Sequence, residues 1–245
     1  MTTRVEHVMG LPISIDIRDD HDFTRAVNHA FAWLREADER FSPFKVDSEV
    51  RRFDRDELMF DELSTDFREI LTICARYETA SGGAFKARLP GRGLDPSAVV
   101  KGWAVQRASD SLKSAGAQRF CINAGGDVVT VGEPEPGRPW RVGIRNPDQA
   151  GTVCAVLGSR DGAVATSAAY ERGAHILDGR TGLPPTSLLS VTITAPDLTT
   201  ADATATAAFA MGTEGIAWAA AEPGCEVFVV DRNRRVHRSD GLALL

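Results

Sequence analysis

The chain has 245 residues, 43% hydrophobic and 25% charged, with a formal net charge of −6. That length can bury a large core, the acidic balance leaves no basic footprint for nucleic acid, and no apolar run approaches the ~18 residues of a membrane span. The opening stretch MTTRVEHVMG lacks the apolar core of a secretory signal, so the sequence predicts a cytoplasmic protein. Cys74, Cys121, Cys154 and Cys225 are far apart and form no CxxC pair, which points to reduced thiols rather than a disulfide framework or a zinc site.

In chain order, VMGLPISIDIRD alternates Ile13, Ile15 and Ile17 with polar neighbours and reads as a strand. Val27, Phe31, Leu34, Ala37 and Phe41 make a helical stripe from Thr24 to Phe41. Phe67, Ile70, Leu71, Cys74 and Tyr77 make a second, from about Ser64 to Ala80. The segment between them, FSPFKVDSEVRRFD, reads as irregular loop. SGGAFKARLPGRGLDPS (residues 81–97) is rich in glycine and proline and reads as loop or turn. A third helix is expected from Val99 to Ala115, closed by Gly116.

Strand signals then crowd together: RFCIN, DVVTVG, WRVGIRN, TVCAVLG, AVATS and SVTITA. Helices near 200–211 and 214–221 and a last hairpin, EVFVVDRNRRVHR, complete the chain. Helices early and strands late predict an α+β fold with mixed or antiparallel sheets and flanking helices, not a regularly alternating parallel sheet.

Four clusters could carry chemistry. In LDPSAVVKG, Asp95 precedes a helix that opens at Pro96, with Lys101 one turn further in. Such a helix start can hold an anion, or Asp95 can serve simply as its cap. NAGGDVVTVG suits a phosphate cradle, and equally a plain β-turn. Asp202 and Thr206 lie four apart in TTADATATAAFAMG, on one helix face. They can offer oxygen ligands to a hard cation, or Asp202 can merely complement the positive helix start. In HILDGRTG (residues 175–182), Asp178 and positive φ at Gly179 and Gly182 suit a tight turn, with His175 as a candidate base.

Collinearity is more specific than any of these clusters. MG, FSPF, SEVRRF, GGAF, LDPSAVVKGWAV, NAGGDVVTVG, WRVGIRNP, AVATSAAYER, HILDGRTGLP and ADATATAAFAMG occur in this order. Over roughly residues 8–230 they resemble the ApbE-like family, the FAD:protein FMN transferases. The resemblance implies a single compact ApbE-like domain over residues 1–245, with a cofactor cleft between two halves. It also implies Mg²⁺-dependent transfer of FMN from FAD, the substrate, to a Thr or Ser hydroxyl of an acceptor protein, with release of AMP.

By the same resemblance, Met9 and Phe44 contact the flavin, while Ala84 and Phe85 begin a loop lining the FAD site. Asp95, Lys101 and Val191 line it too. Ala98 gives a metal ligand through its backbone carbonyl, Asp202 and Thr206 complete the metal site, and His175 is the catalytic base. The sequence departs from the family pattern at Lys86, which replaces an acidic residue beside the cofactor, at Ala168 in TSA, and at Gly179, where proline is usual. The 85–95 segment is also shortened. A Mg²⁺-dependent FAD pyrophosphatase and a non-catalytic FAD-binding protein are the alternative readings.

Overall fold

A computed structural model describes residues 2–89, 91–169 and 176–245. The chain begins with a hairpin, β1 (Thr2–Val8) and β2 (Leu11–Ile17). Its two-residue turn places Met9 at φ 57° and Gly10 at φ 72°. Positive φ at both centres is the mirror-image turn that matches strand twist, and a methionine there is unusual. The sequence reading had only β2, because β1 (TTRVEHV) alternates partly buried and exposed side chains without an apolar face.

Helix α1 spans Thr24–Phe41 and buries Val27, Ala30, Phe31, Leu34, Ala37 and Phe41, as its periodicity required. The following segment is not wholly irregular. Glu49–Asp54 forms α2, started by Ser48, whose hydroxyl accepts the Arg51 N–H; a short 3₁₀ turn covers Phe60–Glu62. Helix α3 (Thr65–Ala80) is capped by Ser64 and buries Phe67, Ile70, Cys74 and Tyr77. The glycine-rich stretch after it holds a minimal hairpin, β3 (Arg88–Leu89) with β4 (Gly93–Leu94). Helix α4 runs over Ser97–Ser114, and Gly116 follows it at φ 95°.

Strands β5 (Phe120–Ala124), β6 (Asp127–Val131), β7 (Trp140–Arg145), β8 (Val153–Ser159), β9 (Gly162–Ala168) and β10 (Leu188–Ala195) come next. Helices α5 (Leu198–Met211) and α6 (Thr213–Ala221) and the hairpin β11 (Glu226–Asp231), β12 (Val236–Arg238) complete the fold.

Eight strands form one sheet in the order β1-β2-β5-β6-β9-β10-β11-β12, every neighbouring pair antiparallel. Side-chain alternation sorts its residues between two layers. Ile13, Ile15, Ile17, Val129, Ala165, Val227 and Val229 join the large core beneath the helices. Val128, Val164, Phe228 and Val230 face the opposite way, against Val142, Ile144 and Leu157 of the separate β7–β8 pair. Strands covered on both faces need continuous apolar runs, which is why DVVTV and EVFVV carry so few exposed side chains.

All four cysteines are free, and burial pushes the Cys74 and Cys121 thiols up to about 12. Among the described residues no helix is long and apolar enough to cross a membrane.

Candidate functional site

Two helices meet at Gly102. A Cβ at that position would lie 2.6 Å from the Leu198 carbonyl oxygen and 2.8 Å from Asp202 Cβ, so only glycine lets α4 and α5 approach this closely. The Gly102 N–H donates to Asp202 Oδ2 at 2.9 Å. In a regular helix that N–H would be aimed at the carbonyl four residues earlier, that of Ala98. One close contact therefore brings the Ala98 backbone, Asp202 and, a turn further along α5, Thr206 into one region.

Lys101, beside Gly102, reaches into the same region. Its ammonium pairs with Asp127 Oδ2 and lies 3.2 Å from Asp202 Oδ1. Asp127 and Asp202 are 3% and 4% exposed, so two nearly dry carboxylates share one ammonium. Burial pushes the Asp202 carboxyl up to about 7; Lys101 opposes the shift and Asp127 adds to it. Burial also works against the Lys101 charge, but Asp127 and Asp202 outweigh it and hold the ammonium well above the usual lysine range.

Asp127 owes its place to the stretch that suited either a phosphate cradle or a turn. The structure makes it a turn: Gly125 and Gly126, at φ 63° and 106°, join β5 to β6, and the Gly126 N–H donates to Asn123 Oδ1 at 2.9 Å. What the turn brings to the site is Asp127 itself. Its second oxygen accepts the Thr166 N–H at 2.9 Å, tying β6 to β9. The Ser167 and Thr206 hydroxyls, 3.2 Å apart, extend this polar lining, whereas the Thr166–Thr192 hydroxyl pair at 2.9 Å lies on the opposite face of the sheet.

The remaining expected contacts are distributed around this centre. Asp95 is exposed and accepts the Ser97 N–H at 3.0 Å, a local side-chain turn just ahead of α4, whose N-cap position is Pro96 and has no side-chain cap. Phe44 is 87% exposed, leaving its ring uncovered, and Met9 is half-buried on the hairpin turn. Ala84, Phe85 and Val191 are buried, Phe85 packing on Tyr77 at 5.9 Å. Asp127, Gly102 and Ser167 are the site residues that sequence reasoning missed. A glycine inside an otherwise helical pattern was the available signal for Gly102.

His175, with Tyr170, Glu171 and Arg172, lies outside the described residues. The turn that continues from His175 is described from Ile176. The Asp178 side chain accepts the Arg180 N–H at 2.9 Å and pairs with its guanidinium at 2.9 Å, and the Gly182 N–H closes onto the Asp178 carbonyl at 2.7 Å. The Arg180 guanidinium holds the Asp178 carboxyl below its usual range. Asp178 and Arg180 thus brace the turn.

Gly182 has positive φ (73°) but Gly179 does not, contrary to the sequence expectation. Gly179 is needed for a close approach instead: a Cβ there would lie 2.5 Å from the Gly83 carbonyl oxygen and 2.7 Å from Lys86 Cγ. A cavity of about 550 Å³ adjoins this turn, lined in part by Ala168, Ile176, Pro185, Phe209, Arg232 and Arg234. Its described lining includes none of the expected flavin contacts.

Among the described residues no group of three or more His, Cys, Asp or Glu side chains gathers as a metal centre. The oxygens gathered here are instead the Asp127 and Asp202 carboxylates and the Ser167 and Thr206 hydroxyls. That oxygen set, with two carboxylates against one ammonium, suits a hard dication.

The chain is 24% identical to the FAD:protein FMN transferase of Haemophilus influenzae, over 91% of this chain and 84% of that protein. It is 32% identical to the enzyme of the same name from Treponema pallidum, over 72% of this chain and 54% of that protein. With several other proteins of that name the alignment spans less than half of their length. The fold matches the solved structure of the flavin transferase ApbE from Vibrio cholerae with a TM-score of 0.84, at 23% identity, covering 98% of this chain and 97% of that one. The ApbE family model matches residues 9–90 and 86–229, a span holding α4, the Asp127 turn and α5 alike, and the chain belongs to the ApbE family.

Proposed function

We propose that this protein is an FAD:protein FMN transferase, acting as one domain over residues 1–245. The observation that carries the reading is the buried Asp202 carboxylate, oriented by the Gly102 N–H at 2.9 Å and facing Lys101 at 3.2 Å. Family membership and relatives bearing that name support it.

In this reading the acceptor's Thr or Ser hydroxyl oxygen attacks the FMN-side phosphorus of FAD. The new P–O bond forms as the bond to the bridging oxygen breaks, and AMP leaves with that oxygen. His175 takes the hydroxyl proton, since a hydroxyl is a poor nucleophile until a base removes it. Asp202, Thr206 and the Ala98 carbonyl would hold Mg²⁺, which when bound would neutralise pyrophosphate oxygens. Lys101 adds a fixed positive charge, and Met9, Phe44, Ala84, Phe85, Lys86, Asp95 and Val191 bound the FAD site. Lys86 has no ionic partner among the described residues, which suits a side chain that meets an anionic substrate.

The test is incubation with FAD, Mg²⁺ and candidate acceptor proteins, followed by intact-mass analysis. A covalent FMN adduct on a Thr or Ser, with one AMP per adduct, is the expected result. Release of free FMN and AMP without an acceptor would mark a pyrophosphatase, and binding of FAD with neither product would mark a carrier.

A further inference from the structure

We infer that Asp127 is a positioning residue for the metal-binding region: by sharing the Lys101 ammonium with Asp202, it leaves the three-group cluster with the net negative charge that a dication requires. The inference rests on the proposed role of Asp202 as a metal ligand.

Asp127 is the first residue of β6, 3% exposed, and both of its oxygens are used. Oδ1 accepts the Thr166 N–H at 2.9 Å, and Oδ2 takes the Lys101 ammonium. Lys101 sits nearer to Asp127 than to Asp202, which it faces at 3.2 Å. The three groups together carry a formal charge of −1. If Asp127 lost its charge, Lys101 and Asp202 would form a closed neutral pair, and an entering dication would have to displace an ammonium from its own ligand. Charges a few ångströms apart in a water-poor site interact strongly enough to dominate affinity.

Asparagine at 127 separates this role from a merely structural one, because its amide oxygen can still accept the Thr166 N–H. The experiment is titration of Mn²⁺, used as a spectroscopic stand-in for Mg²⁺, into the full chain with and without FAD. Free Mn²⁺ is read by electron paramagnetic resonance, and thermal melts verify folding. D127N should bind Mn²⁺ about 10- to 100-fold more weakly than wild type. The double variant D127N/K101Q restores the net charge to −1 and should return affinity to within about threefold. D127E, which keeps the charge, should remain close to wild type, and it carries the test together with the double variant should D127N not fold.

Wild-type protein that takes up no Mn²⁺ in either condition would overturn the metal assignment of Asp202 and this inference with it. Wild-type binding with D127N unchanged would overturn the inference alone. So would weakened binding that K101Q fails to restore, since that marks a structural role.

Discussion

The Gly179 N–H donates to the Ala84 carbonyl at 2.8 Å, joining the turn that follows His175 to the loop that follows α3. Lys86 lies over the same glycine. Positions 86 and 179 therefore touch in space. A proline at 179 would have no N–H for Ala84, and any Cβ would meet Gly83 and the Lys86 stem. G179A should destabilise the fold by about 1–3 kcal/mol, measured by denaturant unfolding. K86A in the G179A background should recover only part of this, because the Gly83 carbonyl oxygen remains 2.5 Å from the added Cβ.

Gly102 gives a prediction whose sign is the test. In an exposed helix interior, glycine to alanine stabilises by roughly 1 kcal/mol. Here the added Cβ would lie 2.6 Å from the Leu198 carbonyl oxygen, a backbone atom that cannot swing aside. G102A should therefore destabilise, by about 2–3 kcal/mol, and weaken Mn²⁺ binding as α5 is pushed away. A stabilised G102A would show that α4 and α5 do not pack this closely.

The catalytic assignments separate in kinetics and binding. D202A should abolish FMN transfer and weaken Mg²⁺-dependent FAD binding, because a hard cation loses its one charged ligand. H175A should leave FAD binding nearly intact while slowing transfer by roughly 10²- to 10⁴-fold, the usual contribution of a positioned proton acceptor. Full transfer activity in H175A would return the turn to a purely structural role.

Asp178 predicts a pH dependence. Its folded carboxyl is held below the usual aspartate range by the Arg180 guanidinium. Stability from a depressed acid is present above the unfolded pKa and is lost as pH falls through the folded one. Wild type should melt slightly higher than D178N at pH 6, by an amount worth under about 1 kcal/mol for a surface pair. The two melting temperatures should converge as the pH falls below the ordinary aspartate pKa of about 3.9 and on through the depressed folded value. A difference that grows in acid would contradict the Asp178–Arg180 brace.

Periodicity was legible wherever one face of an element is dry. Helix α1 runs over Thr24–Phe41, the span its stripe marks. Helix α2 escaped notice because only Val50 of its six residues is buried, too little for a stripe, although Ser48 stood at its start as a cap. The site was legible in pieces. Asp202 and Thr206 are one turn apart and so share a face, but Lys101, Asp127 and Asp202 are separated by 26 and 75 residues, and only the folded sheet and the α4–α5 contact join them. Local spacing carries no information about such a meeting. The pairing of Lys86 with Gly179 was hidden for the same reason, each position reading alone as an isolated oddity.

Helix α5 has alanine at 201, 203, 205, 207, 208 and 210, each no more than 2% exposed, and it packs against β9, β10 and α4. Methyl groups thus act as shims: their thickness sets how far Asp202 stands from the Ala98 backbone. The element richest in the plainest side chain is therefore the one least able to vary. Serine could replace a methyl with little change in width, but glycine would remove the shim and valine would thicken it, either one shifting the Asp202 carboxylate by a fraction of an ångström from a position that does not touch it. Sequence drift in this protein should be tolerated on the outer faces of α1 and α3 and refused at the alanines of α5, where there is no side-chain charge to lose and no side-chain hydrogen bond to break, only width.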